Sequence, residues 1–457
     1  MYKRLIRSIC CAALTPLLTL PVIVMDAHAA IDGVEVSGVL TFTAMEANID
    51  TPDGGSHLMW TYAGDSGLGQ YPGPTLIVEQ GSTVTIVLNN ELDVPVSIVF
   101  PGQTGVTAVG GPGSQDGLLT REALPGGSVV YSFTATHAGT YMYHSGTRPE
   151  LQVEMGLLGA IIVRPTGYSA SSPRAYAHAD SSYDREFLFL LTEMDAIVHS
   201  TIQFEGLSAL DSTDYMSDPL FVYWFINGRA APDTLLPTDT PLLPAQPYNS
   251  LPRMHPGEKV LLRVIGGGKD QHPFHAHGSF QRVIATNGRL RESTAGAGTD
   301  LATDVFTIDS MPGQTVDAIF EWTGKDLGFD IYGTGPGFAH TCSNGSCPDT
   351  SPSDGFDDGT GAACYDETTH EYCPDHDKPL PVTLPDIQEM TIGPFYSGSA
   401  FLGKTGFLPP DHTSFNPTAA FSFPWHSHAE KELANFDIFP GGMLTFLFVE
   451  PHDVTIP

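Results

Sequence analysis

Three histidines fall within six residues in the stretch His272-Pro273-Phe274-His275-Ala276-His277, which is followed by Gly278 and ends a strand-like run. Crowding imidazoles at the spacing H-x-x-H-x-H is costly unless something binds them, because those that protonate repel one another. A metal ion is the economical occupant. A second cluster, Trp425-His426-Ser427-His428, lies about 150 residues downstream. On extended backbone, residues i and i+2 point the same way, so each H-x-H pair can turn two ring nitrogens to one side. These two stretches hold five of the chain's 17 histidines, a concentration that scattered surface or core histidines do not explain.

Pairs of that kind need strands to carry them, and the composition supplies strands. The 457 residues allow two or three domains, and 48 Gly and 37 Pro punctuate short apolar runs rich in Val, Ile, Thr, Phe and Tyr. That pattern predicts an all-β protein with many turns. Residues 31–165 read as one β domain. Thr75 to Asn90 gives two strands broken at Gln80-Gly81, with Val84, Ile86 and Leu88 on one face. Then come Val96 to Phe100, a Gly-rich loop, a hairpin-like unit from Pro125 to Phe133, the stretch Gly139 to Gly146, and a closing run from Met155 to Pro165. Residues 166–183, rich in Ser, Ala and Tyr, suit a linker.

Residues 184–457 repeat that order. His255 to Val264 echoes Val78 to Val87, Pro312 to Phe320 echoes Pro125 to Phe133, and Pro424 to His428 parallels Tyr141 to Ser145. Gly441 to Pro451 parallels Met155 to Pro165, so the chain reads as a tandem duplication of a β-sandwich unit. The second copy carries an insertion over about 332–409. It holds the acidic run Asp349, Asp354, Asp357 and Asp358, whose spacing matches no EF-hand, and all the cysteines outside the N-terminal segment.

The N-terminus predicts an exported protein. Lys3, Arg4 and Arg7 precede an apolar run from Ile9 to Met25, slightly short for a membrane span, and Ala27-His28-Ala29 predicts cleavage of a 1–29 signal peptide. The expected location is periplasmic or secreted, with no membrane association after cleavage. In that setting Cys342, Cys347, Cys364 and Cys373 read as two disulfides stapling a loop, with three possible pairings and no C-x-x-C pair to suggest zinc. The formal charge of −32 repels nucleic acid and anionic lipid and attracts cations, including metal ions and cationic reductants.

The two-copy plan, the His-Pro-Phe-His-Ala-His-Gly motif and the late Trp-His-Ser-His resemble the multicopper oxidases. The resemblance implies tandem cupredoxin-like Greek-key sandwiches, copper as cofactor, and a small-molecule or metal-ion reductant with dioxygen as partners. Two sandwiches with the sites split between them resemble the two-domain laccases and copper nitrite reductases, which implies a homotrimer as one arrangement. By the same resemblance His272 would serve a blue type 1 copper, His275 the type 2 copper, and His277, His426 and His428 type 3 copper, with His144 a further ligand from the first unit.

The match is uneven. Ser427 stands where the family has cysteine, and Glu432 where the second blue-copper histidine belongs. Gly146 replaces the partner of His144, while Val99 and Pro101 fall on the two positions of the first histidine motif. Serine cannot supply the soft thiolate of a blue copper, so the usual electron entry site is expected to be missing. His144, His275, His277, His426 and His428 suffice for one well-ligated copper between the two domains, or for two poorer ones helped by water, Glu430 or Glu432. Three readings follow: a copper oxidoreductase without a blue site, a non-catalytic copper binding, storage or delivery protein, and a descendant whose histidines are packing relics. Zinc could also fill an all-histidine site. Gly266-Gly267-Gly268 follows a strand but opens no helix and lacks phosphate-loop spacing, and Ser145-Gly146 forms no nucleophile elbow.

Overall fold

Alternation of apolar and polar residues builds the first sheet. In the strand Thr83–Asn90 the side chains of Val84, Ile86 and Leu88 are wholly buried while their neighbours are not. It pairs in parallel with Val39–Asp50 and antiparallel with Ser128–Thr134, and Ser56–Ala63 and Thr107–Gly110 flank them. A second sheet of Val34–Glu35, Leu76–Glu79, Leu158–Arg164 and Gly139–His144 closes the first sandwich. The computed structural model describes residues 31–210, 214–325, 327–331, 372–375, 420–452 and 454–456. The predicted signal peptide, Cys342, Cys347, Cys364, the acidic run Asp349, Asp354, Asp357 and Asp358, and most of the predicted insertion lie outside the described residues. Cys373 is buried and disulfide-bonded.

The second sandwich repeats the pairing. Arg185–Met194 pairs antiparallel with Tyr223–Ile226 and parallel with Lys259–Gly266, which pairs antiparallel with Thr315–Glu321, and that strand with Gln281–Thr286. The outer sheet runs Arg253–Met254, Leu444–Val449, Phe421–Ser427, His272–Ala276, Thr307–Ser310. Two cupredoxin-like sandwiches, mostly strand, are what the sequence predicted.

The sandwiches stack face to face, which explains their continuous apolar runs. Leu158–Arg164 is buried at every position because one face (Ile161, Val163) packs into the first sandwich's core. The other face (Leu158, Ala160, Ile162) packs on Leu188, Leu190, Phe225 and Ile265 of the second sandwich. Charged residues lock the same boundary. Buried Arg263 donates to Glu186 at 2.9 Å and to Thr140 of the first sandwich at 3.0 Å. Arg164 reaches Glu186 at 2.7 Å, and Asp317 accepts from Thr140 and Tyr176 at 2.5 Å each. Burying these charges is tolerable because each has an opposite partner. The result is four sheet layers, with the His272–Ala276 and Phe421–Ser427 strands in the outermost.

Candidate metal centre

Strand alternation decides which histidines meet. Along His272–Ala276 the side chains of His272, Phe274 and Ala276 point into the second sandwich's core, so His275 points out of it. On the neighbouring strand Trp425 and Ser427 point in and His426 points out. Register places His275 directly opposite His426. His277 and His428, one step beyond on the same outer side, complete a group of four imidazoles. Ring centroids are 4.8 Å apart for His275 and His277, 5.0 Å for His275 and His428, 5.3 Å for His277 and His426, and 5.5 Å for His426 and His428.

The ring nitrogens are already sorted by their partners. His275 Nδ1 lies 3.0 Å from Thr307 Oγ1, and His426 Nδ1 donates to the Ser427 carbonyl at 2.7 Å. His426 thereby turns its Nε2 toward His277, the usual way in which an outer hydrogen bond aims a histidine at a metal. The Nε2 atoms of His277 and His426 are 3.2 Å apart. Two nitrogens held about 2 Å from one metal at a tetrahedral angle are separated by about 3.3 Å. Burial, and then the charges of the neighbouring imidazoles, push the pKa of His275 and His277 down, and burial does the same to His426. These rings favour the neutral form that ligation needs. Among the described residues no three His, Cys, Asp or Glu side chains are arranged to hold a metal as they stand, so the four rings must turn to converge. The donor set itself, several imidazoles without thiolate, fits copper.

His144 is elsewhere. Its Nδ1 contacts the Ser145 carbonyl at 2.9 Å, as in His426, but none of the described bonds or ring contacts of the other four histidines reaches it or any residue of the first sandwich. The expected site between the two sandwiches of one chain is thus corrected: the shared boundary is filled by apolar side chains and ion pairs, and the four histidines face away from it on the outermost sheet. Val99 bridges His144 across the ladder as His275 bridges His426. A Cβ on Gly146 would come within 2.7 Å of the Val99 side chain, so valine fills the space of the missing imidazole.

His272 is also corrected as a metal ligand, because both its ring nitrogens are taken. Nδ1 lies 3.0 Å from Glu432 Oε2 and Nε2 lies 2.8 Å from Glu193 Oε2, all three residues being buried. Burial would lower its pKa, but the two carboxylates outweigh burial and hold it up at about 9. Glu432 is consequently engaged inside, whereas exposed Glu430 lies 3.5 Å from His428 Nδ1. Glu193 escaped the sequence reading, although a lone acid in the apolar run Phe187 to Met194 was a visible signal. The backbone amides of Lys269 and Asp270 donate to its other oxygen. Gly268 has no room for a Cβ against that carboxylate, so the triple glycine serves a carboxylate of this chain rather than a phosphate.

Residues 45–167 match the family model for multicopper oxidase. The chain is 26% identical over 245 residues to a probable nitrite reductase-hydroxylamine oxidoreductase fusion protein of Kuenenia stuttgartiensis, covering 50% of this chain and 24% of that one. It is 39% identical over 99 residues to the multicopper oxidase MCE of Talaromyces pinophilus, covering 21% and 16%. With copper resistance protein A of Escherichia coli it shares 28% over 252 residues, covering 48% and 38%. The chain thus spans well under half the length of these curated relatives. Among solved structures, the blue copper oxidase from Nitrosomonas europaea superposes with a TM-score of 0.52 at 16% identity, over 90% of this chain and 85% of that one. The multicopper oxidase mgLAC gives 0.50 at 15% over 92% and 87%. The cupredoxin-like fold is borne out by these superpositions, and the resemblance to multicopper oxidases by the match at 45–167, which lies outside the two histidine motifs.

Proposed function

From a chain related to the multicopper oxidases, we propose an exported copper oxidoreductase that works without a blue type 1 site and binds copper through His275, His277, His426 and His428. The observation that carries this is the outer-face group of four imidazoles, two of them hydrogen-bonded through Nδ1, with the Nε2 atoms of His277 and His426 3.2 Å apart. Copper held there would exchange electrons with a small-molecule or metal-ion reductant, or with dioxygen. Thr307 and the Ser427 carbonyl orient the rings, and Phe306, exposed beside His275, shields one edge of the site from water. The acidic surface favours approach of cationic reductants.

His144 joins the set only if a second copy brings its first sandwich against this face, which a homotrimer would do. Export rests on the leader-like segment and is supported by the disulfide at Cys373. Among the described residues no helix is long and apolar enough to cross a membrane.

Elemental analysis with copper paramagnetic resonance on purified, copper-loaded protein tests the reading. The expected result is about one copper per chain, bound by nitrogen, in colourless or faintly coloured protein. Absence of copper, or an intense thiolate-to-copper absorption, would overturn it. A second reading, storage or delivery without turnover, is favoured by Ser427, which removes the thiolate through which a blue site takes in electrons. Oxygen consumption with phenols, Mn(II) or Cu(I) separates the two.

A further inference from the structure

The inner face of the His272–Ala276 strand holds a second built site, at the position where the resemblance puts the blue copper. His272 is wholly buried, with Glu432 Oε2 at 3.0 Å from Nδ1 and Glu193 Oε2 at 2.8 Å from Nε2. A neutral imidazole has one N–H, so it can satisfy one carboxylate and must set a lone pair against the other. Two carboxylates and one imidazole in this geometry therefore need one more proton than the neutral ring carries. The second oxygen of Glu193 already accepts the amides of Lys269 and Asp270.

Among the described residues no lysine supplies the counter-charge. The Lys269 ammonium goes to Glu154 at 2.9 Å, and that of Lys431 lies 3.8 Å from Asp270. Ser310, opposite His272 in the ladder, and Ser427, on the same inner face, carry no charge. The carboxylate oxygens sit against opposite nitrogens of the ring, so the three side chains offer no common point for a metal ion. We propose that the former blue-copper position is a proton-binding site, in which a His272 imidazolium bridging Glu193 and Glu432 supplies the cation that copper supplies in a complete oxidase. This inference does not depend on copper being bound at the outer face.

The bridge also positions the outer imidazoles. It ties the start of the strand bearing His275 and His277 to the turn that follows His426 and His428, and ties both to the end of the Arg185–Met194 strand.

Whole protein labelled with ring-15N histidine is the test, first without metal. At pH 7.5, His272, assigned by loss of its signals in His272→Gln, should show two protonated ring nitrogens. A single protonated nitrogen would overturn the proposal. In Glu193→Gln/Glu432→Gln, which keeps the shapes and removes both charges, the same ring should revert to one protonated nitrogen; an unchanged doubly protonated ring would overturn it. Adding Cu(II) to the native protein should broaden the outer histidines strongly and displace no proton from His272. Loss of the His272 N–H signals on one equivalent of copper, with the outer rings spared, would show that metal takes the inner position and sink the idea. These readouts fail separately from the copper reading, which would fail by an absence of copper at the outer rings.

Discussion

Val99 faces His144 in the first sandwich as His275 faces His426 in the second, at the same place in the same ladder. One pair has lost a possible ligand and the other has kept both. Around Val99 the vacancy has closed: Ser97 bonds Thr147 at 2.8 Å, and the Val99 methyl occupies the space beside Gly146. Around His275 the Nδ1 atoms of His275 and His426 are hydrogen-bonded, and the Nε2 atoms of His277 and His426 lie 3.2 Å apart. The family match at 45–167 falls in the first sandwich, where Val99, Pro101 and Gly146 stand at three of the four expected histidine positions. Core alternation and strand pairing are what the two sandwiches share, and the outward side chains at these positions are where they differ.

Substitutions can break or sharpen that contrast, and the largest effect is expected in the second sandwich. His275→Ala together with His428→Ala should abolish copper binding as read by elemental analysis, while His144→Ala in a dilute, monomeric preparation should leave it within error. Equal losses from both would mean that the first sandwich still contributes a ligand within one chain. Next in size is His272→Ala, which leaves Glu193 and Glu432 buried and unpaired and should cost about 3–5 kcal/mol in denaturant unfolding, typical of a broken buried pair. A cost below 1 kcal/mol would show that the two carboxylates find solvent.

The His272 bridge should also give the second sandwich a pH dependence that the first lacks. The ring's pKa is held at about 9 in the folded chain against an ordinary 6.5, so the folded state keeps a proton that the unfolded chain gives up. Its contribution, up to about 3 kcal/mol, is whole below pH 6.5 and is lost as pH rises toward 9. Urea midpoints of the native protein should fall across that window, and the slope should flatten in His272→Gln. A midpoint that is constant or rises from pH 6.5 to 9 would contradict the assignment.

Much of this was legible in the residues. The duplication, the alternation at Val84, Ile86 and Leu88, and the losses at Val99, Gly146, Ser427 and Glu432 could all be read, because motif spacing and strand period are local properties. Two things could not. Which faces of the sandwiches meet depends on long-range packing, so the site was expected between them, whereas the continuous apolar runs of Leu158–Arg164 and Lys259–Gly266 mark the buried boundary. The motif alone marks His272 as a ligand, because its partner Glu193 lies 79 residues away in sequence. A lone glutamate in an apolar strand announces a buried partner without saying which.

The smallest of the expected effects tests how completely the first sandwich has closed over its old ligand positions. Gly146 has an ordinary backbone conformation, so alanine there adds no backbone strain; its absence from the positive-φ glycines shows this. The new methyl would meet a Val99 methyl carbon at 2.7 Å, with Ser97 Oγ at 3.2 Å and Thr120 at 3.4 Å, so something must shift. Overpacking of that size costs about 1–2 kcal/mol. Val99→Ala alone opens a small void and should cost a similar amount, about 1 kcal/mol. In the double variant Val99→Ala/Gly146→Ala the new methyl occupies the space that valine vacated, so the two costs should not add and a coupling near 1 kcal/mol should appear in a double-mutant cycle. The equivalent exchange in the second sandwich, His275→Val, should cost little stability because that ring is only partly buried and makes no apolar core contact. If Val99→Ala/Gly146→Ala were merely additive, valine would not be the group that replaced the imidazole, and the two sandwiches would differ by more than their ligands.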